Sequence, residues 1–140
     1  ILPEDLIFFG LRDTEEPENE LIRRLGIKNF SVTECREKGF DQAVQEALEK
    51  LNQCDFIYIS FDVDSMDSDK VSEGTGTPVP DGFLPAEAQC IISGLIDSGK
   101  VGCFEMVEVN PTLDDQKNKM AETAFQILET TAQKIEQYFK

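Results

Sequence analysis

The chain has 140 residues, enough for one domain with its own core and too few for two. Its formal net charge of -15 argues against nucleic-acid binding, which needs clustered Lys and Arg, and suits cationic ligands such as metal ions or a guanidinium. No histidine is present, so a hydrolytic site here works through carboxylates or borrows histidines from elsewhere.

Apolar runs alternating with helical patterns predict an α/β fold, a parallel sheet with helices on both faces. Ile1 opens directly onto the first run, Leu6 to Phe9 before Gly10, with no basic, apolar leader; it reads as a cut or processed start. Gly26 to Val32 is the second run. Phe40, Ala43, Val44, Ala47, Leu48 and Leu51 then recur at helical spacing. The third run, Phe56 to Val63, has the β-branched and aromatic content of a strand buried on both faces. It falls well short of the roughly 20 apolar residues that cross a bilayer, which predicts no membrane contact.

From Asp64 to Leu84 there is neither pattern, only glycines and prolines among polar residues. A loop of that length in a compact domain is usually functional or disordered. Ala88, Ile91, Ile92, Leu95 and Ile96 mark the next helix, with Pro85 in its first turn and Gly99 past its end. Val101 to Val109 is the fourth run, and the four strands are expected as neighbours in one sheet. A last helix from about Gln116 to Tyr138 is expected to lie on that sheet through Ala124, Phe125, Leu128, Ala132 and Ile135. Cys35, Cys54, Cys90 and Cys103 lack the close pairing of zinc or dithiol sites, so they read as small packing residues in a reducing, cytoplasmic setting.

Ligands in open α/β sheets bind at the carboxyl ends of strands. The third strand delivers Asp62 and Asp64 there, at alternate positions that point the same way on an extended segment, roughly 7 Å apart. Such a pair repels itself unless a cation lies between its members. A lone acidic pair is more often a solvated turn, which Asp67 and Asp69 also resemble. A calcium loop would use Asp62, Asp64 and Glu73, but Met66, Asp67 and the preceding strand exclude it. On the fourth strand Glu105 and Glu108 have opposite parity. Glu108, nearer the carboxyl end and Pro111, is the candidate to meet a ligand such as a guanidinium, and Glu105 is a structural acid.

Three ordered motifs are more specific than any one of them. Ser60-Phe61-Asp62-Val63-Asp64-Ser65-Met66-Asp67, Gly74-Thr75-Gly76-Thr77-Pro78 and Glu108-Val109-Asn110-Pro111 together resemble the ureohydrolase signature. Gly10-Leu11-Arg12-Asp13, Gly26-Ile27-Lys28-Asn29-Phe30-Ser31 and Asn110 look like the arginase branch rather than the agmatinase branch. The resemblance implies an arginase-like fold, of which residues 1–140 form the C-terminal part. It implies hydrolysis of L-arginine to L-ornithine and urea by a full-length protein with two Mn²⁺ ions, cytoplasmic and assembled as a homo-oligomer, trimer or hexamer. Asp62 and Asp64 match metal ligands, Glu108 matches the catalytic acid that receives the guanidinium, and Thr77 borders the substrate.

Departures from the family pattern qualify this. Glu15 and Glu18 stand where an aspartate and a glutamate commonly meet the α-amino end of arginine; a solvated helix start explains both equally well. Ser68 replaces a usual proline, and Ala86 an arginine used in trimer contacts. The remaining ligands, two histidines and two aspartates, and a proton-shuttling histidine belong to an N-terminal half, as does a strand that separates the first and third strands here. The fragment alone is therefore expected to be inactive. An agmatinase or other guanidino-compound hydrolase, and a non-catalytic arginase-like partner subunit, are the alternative readings.

Overall fold

The computed structural model describes residues 1–115 and 117–138. Its elements are β1 (Ile7–Phe9), α1 (Glu16–Leu25), β2 (Lys28–Phe30), α2 (Val32–Lys38), α3 (Phe40–Lys50), β3 (Ile57–Asp62), α4 (Pro85–Asp97), β4 (Val101–Val107) and α5 (Lys119–Glu136). Short 3₁₀ turns occupy Pro3–Asp5 and Val63–Ser65. The four apolar runs are all strands, each somewhat shorter than its run.

Local chemistry accounts for the helix ends. α1, which hydrophobic periodicity did not reveal, starts where the Glu18 carboxylate accepts the Glu15 N–H at 2.8 Å, and it stops at Gly26, whose φ of 66° suits glycine. Ser31 caps α2 by accepting the Glu34 N–H at 3.1 Å. α4 begins at Pro85, as its sequence indicated. α5 has a remote cap. Asn118 makes no side-chain cap bond, and the free N–H groups of Lys119, Met120 and Ala121 are taken by Asp115 and Asp114 at 2.9–3.0 Å. The expected start of this helix at Gln116 lies outside the described residues.

The strands form two parallel pairs rather than one sheet: β1 with β2, and β3 with β4. Phe9 lies opposite Phe30 in the first pair, and Asp62 opposite Val107 in the second. Between β1 and β3 runs a cavity of about 860 Å³, lined by both strands and floored by Ile91, Ile92 and Leu95 of α4. This corrects the expectation of four adjacent strands. The interruption falls where a further strand was expected, and it leaves the facing edges of β1 and β3 unpaired with each other.

One face of β3 and β4 turns Ile59, Phe61, Phe104 and Met106 toward a core shared with Val44, Ala47 and the apolar side of α4. The opposite face carries Tyr58, Ser60, Cys103 and Glu105, all exposed, so among the described residues helices cover this pair on one side. α4 packs against both α3 and α5. α5 docks through Met120, Ala124, Ile127 and Thr131, whereas Phe125 is 61% exposed and Leu128 42%. Of the expected face Ala124 is buried and Ile135 packs against the core, while Phe125, Leu128 and Ala132 are exposed and Ile127 and Thr131 take the inner positions. Phe125 and Leu128 looked like core by hydropathy, but Ile127 is the residue turned inward. No described helix is long and apolar enough to cross a membrane.

Candidate active site

β3 ends at Asp62, and the chain turns at once into Val63–Ser65. Asp64 therefore does not sit on an extended strand, as alternation alone suggested. The turn is closed by side chains: Asp62 Oδ1 accepts the Asp64 N–H at 2.8 Å, and Ser65 Oγ donates to the Asp62 carbonyl at 2.6 Å. The effect is to hold both carboxylates at the strand tip, half-buried, on the wall of the cavity between β1 and β3.

Asp64 divides its two oxygens. Oδ2 accepts a hydrogen bond from Thr77 Oγ1, while Oδ1 is buried and has no hydrogen-bond partner among the described residues. A buried, unpartnered carboxylate oxygen is costly and calls for a cation or donor. The Asp62 carboxyl is raised from its ordinary value chiefly by burial, with the Asp64 N–H opposing and the charges of Asp64 and Glu108 adding to the rise. The three acids thus share one electrostatic neighbourhood.

Glu108 follows the last residue of β4 and adopts a left-handed backbone, φ 64°. Its Oε2 lies beside Gly76, 3.5 Å from where a β-carbon on that residue would be. The Asn110 N–H donates to the Gly74 carbonyl at 2.9 Å, which ties the end of β4 to the 64–84 loop. Glu105 is held apart on the exposed face, accepting from Ser60 Oγ at 2.8 Å. Glu108 lies past the end of β4 with a left-handed backbone, so strand parity does not govern where it points, and both glutamates are exposed.

The loop itself is ordered by its own backbone. The Asp67 N–H donates to the Phe83 carbonyl at 3.0 Å and the Phe83 N–H to the Ser65 carbonyl at 2.9 Å. Gly82 sits where any side chain would strike backbone: a β-carbon there would lie 2.4 Å from the Met66 carbonyl carbon. Sequence reasoning assigned no role to Arg12, which lines the cavity with Asp13, Asp62, Asp64 and Thr77. Its position in Gly10-Leu11-Arg12-Asp13, a cation at a strand tip in an acidic chain, was the available signal. Burial lowers the proton affinity of its guanidinium, with Asp67 and Asp64 opposing.

Glu15 and Glu18 are exposed and stand at the start of α1, where Glu18 completes the turn. They are not among the residues lining the cavity. Among the described residues no three His, Cys, Asp or Glu gather in a metal-holding group. Asp62 and Asp64 carry hard oxygen donors, and Asp64 Oδ1 is unpartnered among the described residues, which is chemistry a divalent cation can use; two carboxylates alone do not complete a ligand set.

The chain is a parallel α/β protein with two carboxylates at one strand tip and a further acid just past the end of the neighbouring strand. The Arginase family model matches residues 1–133, and the chain belongs to that family. It is 35% identical over 130 residues to an arginase of Bacillus subtilis, a match covering 93% of this chain and 43% of the relative. A solved arginase of Helicobacter pylori superposes with a TM-score of 0.90 at 32% identity, over 96% of this chain and 45% of that one. A structure described as a hypothetical agmatinase of Burkholderia thailandensis gives 0.73 at 28% identity, over 91% of this chain and 37% of that one. The chain thus spans less than half the length of these relatives.

Proposed function

We propose that this chain is the C-terminal half of a guanidino-compound hydrolase whose full-length form converts L-arginine to L-ornithine and urea. The observation that carries the reading is that Asp62, Asp64 and Thr77 line one cavity, with Asp64 Oδ1 unpartnered among the described residues, while Glu108 follows the neighbouring strand, exposed and with its Oε2 beside Gly76 of the same loop. Asp62 and Asp64 would help to hold two Mn²⁺ ions, the other ligands coming from outside the described residues. Bound divalent ions would supply a water acidic enough to attack at neutral pH. Glu108 would receive the substrate guanidinium, whose planar fork of donors matches a carboxylate, and fix its carbon for attack. Thr77 holds Asp64 Oδ2, leaving Oδ1 free for a cation. The working unit on this reading is a cytoplasmic homo-oligomer, trimer or hexamer.

A second reading, an agmatinase or another guanidino-compound hydrolase, draws support from the place of Glu15 and Glu18 at the start of α1, where neither lines the cavity that an α-amino group would enter, although Asp13 does. The test is urea release by the full-length protein from L-arginine, agmatine and guanidinobutyrate, with and without Mn²⁺. Metal-dependent release from arginine, and none from residues 1–140 alone, is expected. Preference for agmatine or guanidinobutyrate would establish the second reading, and no release from any of the three would overturn both.

A further inference from the structure

We propose that Arg12 is a positioning residue that sets the reach of Thr77 to Asp64. The inference rests on the reading above, in which Asp64 works as a metal ligand. Pro78 and Pro80 flank Val79 and have no N–H to donate, so this stretch of the loop is anchored through its carbonyl oxygens. Arg12 supplies donors for them. Its Nη2 donates to the Val79 carbonyl at 2.6 Å and to the Met66 carbonyl at 3.0 Å, and its Nε to the Pro80 carbonyl at 3.1 Å. Nη1 reaches back to the Gly10 carbonyl at 3.4 Å.

One rigid fork therefore joins the tip of β1 to both arms of the 64–84 loop. Met66 lies two residues after Asp64, and Val79 two residues after Thr77. Across the loop the backbone adds only a long bond here, from the Ser68 N–H to the Val79 carbonyl at 3.3 Å. A lysine at position 12 would keep the charge but could not span these carbonyls in one plane. Arg36 makes a separate clamp at the loop's far end, donating to the Gly82 carbonyl at 3.0 Å and forking onto Glu87. That second anchor lets the loop keep its base when Arg12 is replaced.

The experiment uses the full-length protein as Arg12→Gln, Arg12→Lys, Thr77→Val and the Arg12→Gln/Thr77→Val double variant. In metal-free protein, amide exchange at Ser68, whose N–H meets the Val79 carbonyl, should quicken by at least about tenfold in both Arg12 variants, while exchange at Phe83, beside the Arg36 clamp, should not. In the Mn²⁺-loaded protein kcat should fall on the order of tenfold to a hundredfold in Arg12→Gln, and the double variant should turn over no more slowly than Thr77→Val. That non-additivity marks action through Thr77, which a general loss of stability would not produce. Unchanged exchange at Ser68 in both Arg12 variants, or losses that multiply in the double variant, would overturn the proposal. Should the wild-type protein release no urea from any guanidino substrate, the proposed function fails, and the exchange measurement still decides the part played by Arg12.

Discussion

Replacing Glu108 by glycine and, separately, by alanine isolates the backbone strain on which the proposed guanidinium acid sits. At φ 64° a residue with a β-carbon pays a steric penalty that glycine escapes. In ordinary strand or helix backbone alanine is the more stable of the two by about 0.5–1 kcal/mol, because glycine loses more freedom on folding. At position 108 the order should invert, with alanine less stable than glycine by about 1 kcal/mol. Both variants remove the charge that pushes up Asp62, so electrostatic relief cancels in the comparison. Denaturant unfolding of the full-length variants in chelator reads the difference directly, as about a fivefold change in the unfolding equilibrium. Both should also lose urea release. If the alanine variant proves as stable as the glycine variant, the left-handed conformation carries no strain and the argument fails.

Three more outcomes follow from the same geometry. The Asp114 carboxyl is pushed up by burial, but the hydrogen bonds it accepts from Ser72 Oγ and from the N–H groups of Ala121, Met120 and Asp115 outweigh this and hold it below its ordinary value of 3.8. Its folded form is thus favoured when ionised: the stabilisation is present above pH 3.8 and is lost as pH falls through the lower folded value. Asp114→Asn should cost about 1–2 kcal/mol near neutrality by weakening the α5 cap, and acid titration of stability should then flatten below pH 4. Gly82→Ala should cost about 1–3 kcal/mol, since the obstacle is the Met66 backbone and no rotamer change relieves it; an unchanged denaturant midpoint would contradict this. Ile127→Ala should cost about 2–5 kcal/mol and Phe125→Ser within about 0.5 kcal/mol, the reverse of what the hydrophobic face read from sequence would give.

Much of the site was legible because its signals are local. Asp62 ends β3, Asp64 lies in the turn directly after it and Glu108 follows β4, and a strand's carboxyl end is where an α/β sheet places ligand groups whatever surrounds it. Thr77 came from a motif, and the structure supplies its reason in the hydrogen bond to Asp64. Glu15 and Glu18 show the opposite case. The chemistry of a helix start and that of an amine-binding site use the same residues, and only their position at α1, apart from the cavity, distinguishes them. Arg12 went unassigned because its partners are carbonyl groups from residues 54 to 68 positions away, apart from Gly10, and carbonyls leave no trace in side-chain identity.

By itself the sequence determined the α/β class, the four strands, the helices α3, α4 and α5 with the ends of α4, and the presence of acids near the strand tips, since each depends on periodicity or on neighbours within a few residues. The third dimension decided the rest. It split the strands into two pairs around a cavity, capped α5 from Asp114 and put Ile127 rather than Leu128 against the core, and bent the chain after Asp62 so that one oxygen of Asp64 meets Thr77 while the other is unpartnered among the described residues. These features arise from contacts between segments far apart along the chain, and such contacts are selected by packing and hydrogen-bond satisfaction over the whole fold rather than by any local pattern.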